Sequence, residues 1–208
     1  NRYSRSIRLR LAAIEVFEKS GGESKTEELL KEIDQLGGSR SWDYRAPANL
    51  VALGRAALLM GADPKLVLEN FFEQAKRADP DFRESYLAMA DLALRKHDPD
   101  LAAKMLREGL KKFPKDPEFL CGLARAFAED DRGEMLESLS AALEANPRHI
   151  PSLIQQLDHH IDAEDYATAE TLIERILKIN ASQPAALAYR AVLRHLANDS
   201  AGEIAARR

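Results

Sequence analysis

Residues 86–114 read YLAMADLALRKHDPDLAAKMLREGLKKFP: two helical apolar patterns, a break at Asp98-Pro99, and a closing Phe113-Pro114. The same markers recur down the chain. Pro80, Pro114, Pro147 and Ala181 stand 34, 33 and 34 positions apart. Leu68, Ala102, Met135 and Ala169 each lie twelve residues before those sites, and Ala75, Gly109, Ala142 and Ile176 five before. A fixed period of this length is the mark of stacked helix pairs, an α-solenoid, in which each pair buries its apolar face only against its neighbours.

Within each period the first helix carries one small residue at a fixed place: Gly54, Ala90, Ala124 and Ala191, with Leu157 as the exception. Four positions earlier stand Leu50, Tyr86, Leu120, Leu153 and Leu187, while the second helices contribute Phe72, Leu106, Leu139 and Ile173. A small side chain lets two helix backbones approach, and large neighbours fill the remaining space. Helical spacing and repeat spacing therefore agree. The pattern predicts helices near 47–60, 64–78, 82–96, 99–112, 117–129, 132–145, 150–161, 165–179 and 184–197. Asp63-Pro64, Asp98-Pro99 and Asp116-Pro117 are N-capping carboxylates followed by a proline suited to the first turn. Asp81 with Glu84 and Asp131 with Glu134 have capping-box spacing.

These residues resemble the tetratricopeptide repeat, W-x2-L-G-x2-Y followed by A, F, A and P. The best unit is Tyr86, Met89, Ala90, Ala93, Ala102, Leu106, Gly109 and Pro114. The resemblance covers about residues 47–198, four helix pairs and a leading helix, and implies a right-handed superhelix that binds a protein or peptide on its concave face. Departures are visible. Tryptophan never fills the first position, and the tyrosine is replaced by Ala57, Ala93, Phe127, His160 and Arg194. The first unit carries about two extra residues around Gly61-Ala62-Asp63. Residues 1–40 show two further apolar stripes, Ile7/Leu11/Ile14/Phe17 and Leu29/Leu30/Ile33/Leu36, ended by Gly21-Gly22 and Gly37-Gly38; they read as a degenerate pair capping the stack. Residues 41–46, with Trp42 and Tyr44, form a linker into Pro47 that continues from Ser39 in the same polar stretch.

Composition narrows the function. Of 208 residues, 45% are hydrophobic and 31% charged, enough for a continuous core. The net charge of −4 and a pI of about 5.8 argue against nucleic acid as the partner. One cysteine, Cys121, excludes an internal disulfide. No run approaches the ~18 apolar residues of a membrane span, and no targeting segment is visible. The chain opens Asn1-Arg2-Tyr3 and closes Ala205-Ala206-Arg207-Arg208, partway into what should be another helix over 199–208. It reads as an internal segment of a longer protein.

Candidates for chemistry are few. His159 and His160, near Asp158, Asp162, Glu164 and Asp165, form the densest set of ligating residues, but adjacent helical histidines diverge by about 100°, and the H-E-x-x-H spacing is absent. They read as surface residues at a helix end, with no metal and no cofactor expected. Cys121 lacks a base at a supportive spacing and reads as a packing or groove residue. Arg2, Arg5 and Arg8 form a solvated stripe. The catalytic set needed for an enzyme is not visible.

A line of charges carries more information. One position past the small residue stand Arg55, Asp91, Arg125 and Asp158, alternating in sign on what should be the inner wall. These either pair with one another between repeats or recognise a charged partner. Val51, Leu87, Leu94, Cys121, Ile154 and Ala188 form an apolar floor beside them. Repeat modules that clamp chaperone C-termini carry Lys and Asn at such positions, and that pattern is absent. The run Leu53–Met60, the step ending at Phe71, and Asn146-Pro147-Arg148-His149-Ile150-Pro151-Ser152-Leu153 are also similar to the repeat region of large bacterial proteins. In those, the array precedes a gluzincin-type metallopeptidase-like domain. That similarity implies an accessory arm docking another domain of the same polypeptide. The reading is a non-catalytic scaffold. Its last helix, with Leu187, Val192, Leu193 and Leu196, is expected to be covered by residues 199–208 or by a second copy through self-association, or to fray.

Overall fold

A computed structural model describes residues 6–19, 22–38, 43 and 45–197. Arg2, Arg5, Ser39, Trp42, Tyr44 and the segment 199–208 lie outside the described residues. The chain divides into two compact units, Asn1–Lys112 and Phe113–Arg208. Among the described residues the fold is helical throughout, with no strand.

The first unit begins with α1 (Ile7–Lys19) and α2 (Glu23–Gly37), whose Ile7, Ile14 and Ile33 close on Ala52 and Ala56 of α3 (Pro47–Leu59). Arg10 and Glu32 join the pair at 2.6 Å. Gly38 does not end α2 in a left-handed conformation, because its φ is −73°. α4 (Pro64–Val67) runs through a π-helical turn (Leu68–Phe72) into α5 (Glu73–Ala78), followed by α6 (Arg83–Arg95) and α7 (Pro99–Lys112).

The two extra residues of the first repeat divide between two places. The loop Met60–Asp63 is one residue longer than Lys96–Asp98. From Pro64 to Phe72 is one residue more than from Pro99 to Leu106, and a π-helical turn takes in one extra residue without breaking the helix. That turn restores Phe72 to the core, where it lies against Gly54. A Cβ on Gly54 would stand 3.0 Å from Phe71 Cβ and nearer still to the Phe72 ring.

The second unit holds α8 (Pro117–Phe127), α9 (Arg132–Ala145), α10 (Ile150–Asp162), α11 (Tyr166–Ile179) and α12 (Pro184–Leu196). Leu153, Leu157, Ala169, Ile173, Ile176 and Leu193 share one core. Leu193 therefore belongs to the packed side of α12, whereas Val192 and Leu196 are exposed.

Loops repeat as faithfully as helices. Asp63, Asp98, Asp116, Asp131 and Asp165 each accept a backbone N–H at a helix start, at Lys65, Leu101, Glu118, Glu134 and Thr168. Asp81 does not cap α6. Phe82 is the capping residue there, and Asp81 instead pairs with Lys112 at 2.6 Å. Three first helices end in a Schellman turn, with N–H of Ala62, Asp98 and Asp165 on the carbonyls of Ala57, Ala93 and His160. The left-handed residues are Gly61, His97 and Glu164. The third repeat is one residue short and closes with Asp131 N–H on Phe127 instead, without a positive φ. Return loops open on Asp79, Asn146 and Asn180, whose side chains accept from Asp81, Arg148 and Ser182 N–H. This Asx turn survives where proline gives way to Ala181, so the Asp or Asn side chain, not the proline, sets the bend.

Candidate functional site

Each first helix presents one stripe of side chains at four-residue spacing, and neighbouring positions on it are about 40° apart. In the first unit the stripes are Val51-Arg55-Leu59 and Leu87-Asp91-Arg95. In the second they are Cys121-Arg125, with Glu129 in the turn that follows α8, then Ile154-Asp158-Asp162 and Ala188-Val192-Leu196. Val51 and Cys121 are buried beneath their stripes, and Leu87, Leu94 and Ile154 are half-buried. Arg55, Arg125 and Ala188 are open to solvent, with Asp91 and Asp158 between the two extremes.

The charged line has partners beyond its own members. In the first unit Arg55 reaches Glu84 at 3.9 Å, Glu84 also takes Arg83, and Asp91 takes Arg95 on its own helix at 3.0 Å. In the second, Asp158 Oδ1 accepts the Tyr189 hydroxyl at 2.5 Å. That hydrogen bond, with burial and the nearby carboxylates Asp158 and Asp162, pushes the Tyr189 pKa up to about 12.

Two residues missing from the sequence reading organise the second unit. Gln155 donates to Cys121 Sγ at 3.0 Å and to its carbonyl at 3.3 Å, and Tyr189 reaches Asp158. Both occupy the position two before the small residue, where the series runs Ala52, Ala88, Gly122, Gln155, Tyr189. The change from small to long side chains was the available signal. Along one helix face the long arms tie each repeat to the one before.

Below this face lies a polar cluster. Buried His149 meets Ser152 Oγ through Nδ1 at 2.8 Å, and Glu118 Oε1 stands 3.2 Å from its Nε2 but off the hydrogen-bonding direction. Burial pushes the Cys121 thiol up, against the opposing influence of a Ser152 hydrogen bond and of Arg125. Acid, base, hydroxyl and thiol are thus close together. Ser152 is fully buried and Cys121 nearly so, however, and a raised thiol pKa is the opposite of nucleophile activation. The cluster ties α8 to the start of α10.

His159 and His160 meet edge to face, ring centroids 5.3 Å apart, and turn to different partners. The His159 ring faces Arg132 at 3.1 Å, while His160 Nδ1 holds the capping Asp165 at 3.1 Å. Among the described residues no group of three or more His, Cys, Asp or Glu could hold a metal ion, and no helix is long and apolar enough to cross a membrane.

A family model described as a tetratricopeptide repeat matches residues 83–126. Among solved structures, a thermophilic tetratricopeptide-repeat protein of Thermus thermophilus aligns at 20% identity and TM-score 0.62, over 77% of this chain and 88% of its own. PilF of Pseudomonas aeruginosa aligns at 14% identity and TM-score 0.63, over 99% of this chain and 89% of its own. YrrB, described as a tetratricopeptide-repeat protein with an unusual peptide-binding site, aligns at 15% identity and TM-score 0.52, over 89% and 92%. A search of curated proteins finds no match. The family model lies across the stretch where the markers are most regular, and the structural likeness extends the same fold to either side of it. Residues 83–126 thus carry a tetratricopeptide repeat, and the chain around them has the tetratricopeptide-repeat fold.

Proposed function

We propose that the protein is a non-catalytic scaffold whose first-helix stripes form a concave face that binds a protein or peptide. The observation that carries this reading is the side-chain pattern of those stripes. Their flanks pack into the repeat cores, yet Arg55, Asp91, Arg125, Asp158, Ala188, Val192 and Leu196 keep access to solvent on successive helices. Within each unit the packed helices hold such side chains in place, so little ordering entropy is lost on binding and a few contacts can supply most of the affinity. The peptide-binding site of YrrB, on the same fold, supports the reading by likeness.

Selection of displayed peptides on the immobilised protein tests it. Saturable binders should emerge whose affinity falls when Arg55, Asp91, Arg125 or Asp158 is changed to Ala. Binders that ignore all four substitutions, or none above background, would refute the concave-face assignment.

A further inference from the structure

The stripes of the second unit change character from helix to helix. α10 offers two carboxylates four residues apart, Asp158 and Asp162, and α12 offers Ala188, Val192 and Leu196. In the equivalent places the earlier repeats carry Arg55, Asp91 and Arg125, then Leu59, Arg95 and Glu129. Only in the last helix are all three stripe positions apolar. Val192 is 50% exposed and Leu196 55%, an exposure that burial in the core of this unit does not explain.

The acidic and apolar stripes adjoin. Tyr189, next to Ala188 on α12, crosses to Asp158 on α10 and fixes the two helices' stripes side by side. Its hydroxyl is a neutral donor on one carboxylate oxygen, so it leaves the negative charge in place and the second oxygen with acceptor capacity. Asp162 adds a second charge, and both carboxylates raise the Tyr189 pKa. By the helical step of about 100° per residue, Arg190 and Arg194 fall on the far side of α12 from the apolar stripe.

We infer that this face takes an apolar peptide segment bearing a lysine or arginine, its apolar side chains on Ala188, Val192 and Leu196 and its cation at Asp158 and Asp162. This rests on the proposal that the stripes are the ligand face, and it adds which unit binds and what the ligand must carry. Charge complementarity selects the cation, and the exposed stripe beside it selects the apolar neighbour.

The test is fluorescence anisotropy of the whole chain with a fluorescein-labelled amphipathic peptide of leucine and lysine. A leucine–glutamate peptide and a glutamine–lysine peptide serve as counterparts. The leucine–lysine peptide should bind, and the other two should bind far less. Asp158→Asn/Asp162→Asn and Val192→Ser/Leu196→Ser should each weaken it by about tenfold, the scale of one central contact. Glu137→Gln/Glu144→Gln, which removes the same charge from the exposed side of α9, should leave it unchanged. Equal weakening by that control, or equal binding of the leucine–glutamate peptide, would overturn the inference. So would a concentration-dependent dimer abolished by Val192→Ser/Leu196→Ser, which assigns the stripe to a second copy. Binding that responds to Arg55→Ala and Asp91→Ala alone would sink this assignment and leave the scaffold reading standing. Failure of every selected peptide would remove the scaffold reading itself.

Discussion

The two units use one period in two ways. In the first, the position two before the small residue is Ala52 and Ala88, both buried, and charges are settled by Arg55, Arg83 and Arg95 around Glu84 and Asp91. In the second it opens on Gly122 and then becomes Gln155 and Tyr189, which reach back to Cys121 and Asp158 of the preceding repeat. The small position itself differs in parallel: Gly54 admits the Phe72 ring, whereas Leu157 is a fully buried part of the core. Close backbone approach fits the two helices of one repeat together, and side-chain bridging fixes one repeat on the next.

The largest consequence is at those two equivalent sites. Leu157→Ala should cost about 3 kcal/mol, since truncating a buried leucine loses transfer free energy and leaves a cavity. Gly54→Ala should cost about 2 kcal/mol for the opposite reason, a methyl forced against Phe71 and the Phe72 ring. Repeat arrays need not unfold in one step, so hydrogen exchange resolved by segment should accompany urea unfolding. Exchange should rise in the second unit for Leu157→Ala and in the first for Gly54→Ala. A tolerated Gly54→Ala would mean the Phe72 ring can step aside, and the contrast drawn from that contact would fail.

The bridge between α10 and α12 has the next effect. Tyr189→Phe should cost about 1 kcal/mol, a hydrogen bond to a carboxylate discounted for partial exposure. Its pH dependence has a definite sign. The folded pKa of about 12 lies above the ordinary 10.0, so the folded state holds the phenolic proton more tightly. The contribution is complete below pH 10 and is lost as pH rises from 10 towards 12. Ultraviolet titration should show one late tyrosine that Tyr189→Phe removes. A smaller gain should come from His97→Gly and Glu164→Gly, both held at positive φ. Glycine relieves that strain, and each should add up to about 1 kcal/mol in urea midpoints. The same change at Asp130 lacks that rationale, because the third repeat closes without a left-handed residue.

Helix order, loop positions and four of the five capping aspartates, Asp63, Asp98, Asp116 and Asp131, were legible in the sequence because each depends on residues close in the chain. The π-helical turn was not. Two extra residues anywhere between Gly54 and Phe72 give the same alignment, and only the need to bring Phe72 onto Gly54 decides that one enters the helix. Asp81 has capping-box spacing with Glu84, but Lys112, 31 positions away, claims it. The stripe residues were legible as positions, not as partners. The identity of Gln155 and Tyr189 marks a change, and the residues they reach follow from the stacking distance between helices.

The smallest effect sharpens the comparison at the loop edge of the second unit. Arginine is always a donor at neutral pH, so the Arg132 contact requires His159 Nε2 to accept, and the ring must be neutral. Burial, then Arg132 and His160, hold its pKa below the ordinary 6.5, with Asp162 opposing. A histidine with a depressed folded pKa favours the folded state while neutral. Its contribution is present above pH 6.5 and declines as pH falls below it. The ring is partly solvated, so the shift should be read in the titration itself rather than in stability. Proton NMR should place the His159 midpoint below 6.5, and Arg132→Gln should move it upward. A midpoint unchanged by Arg132→Gln would show that burial, His160 and Asp162 set it without Arg132, and that the α9–α10 contact, unlike those of Gln155 and Tyr189, does not tie its repeats together.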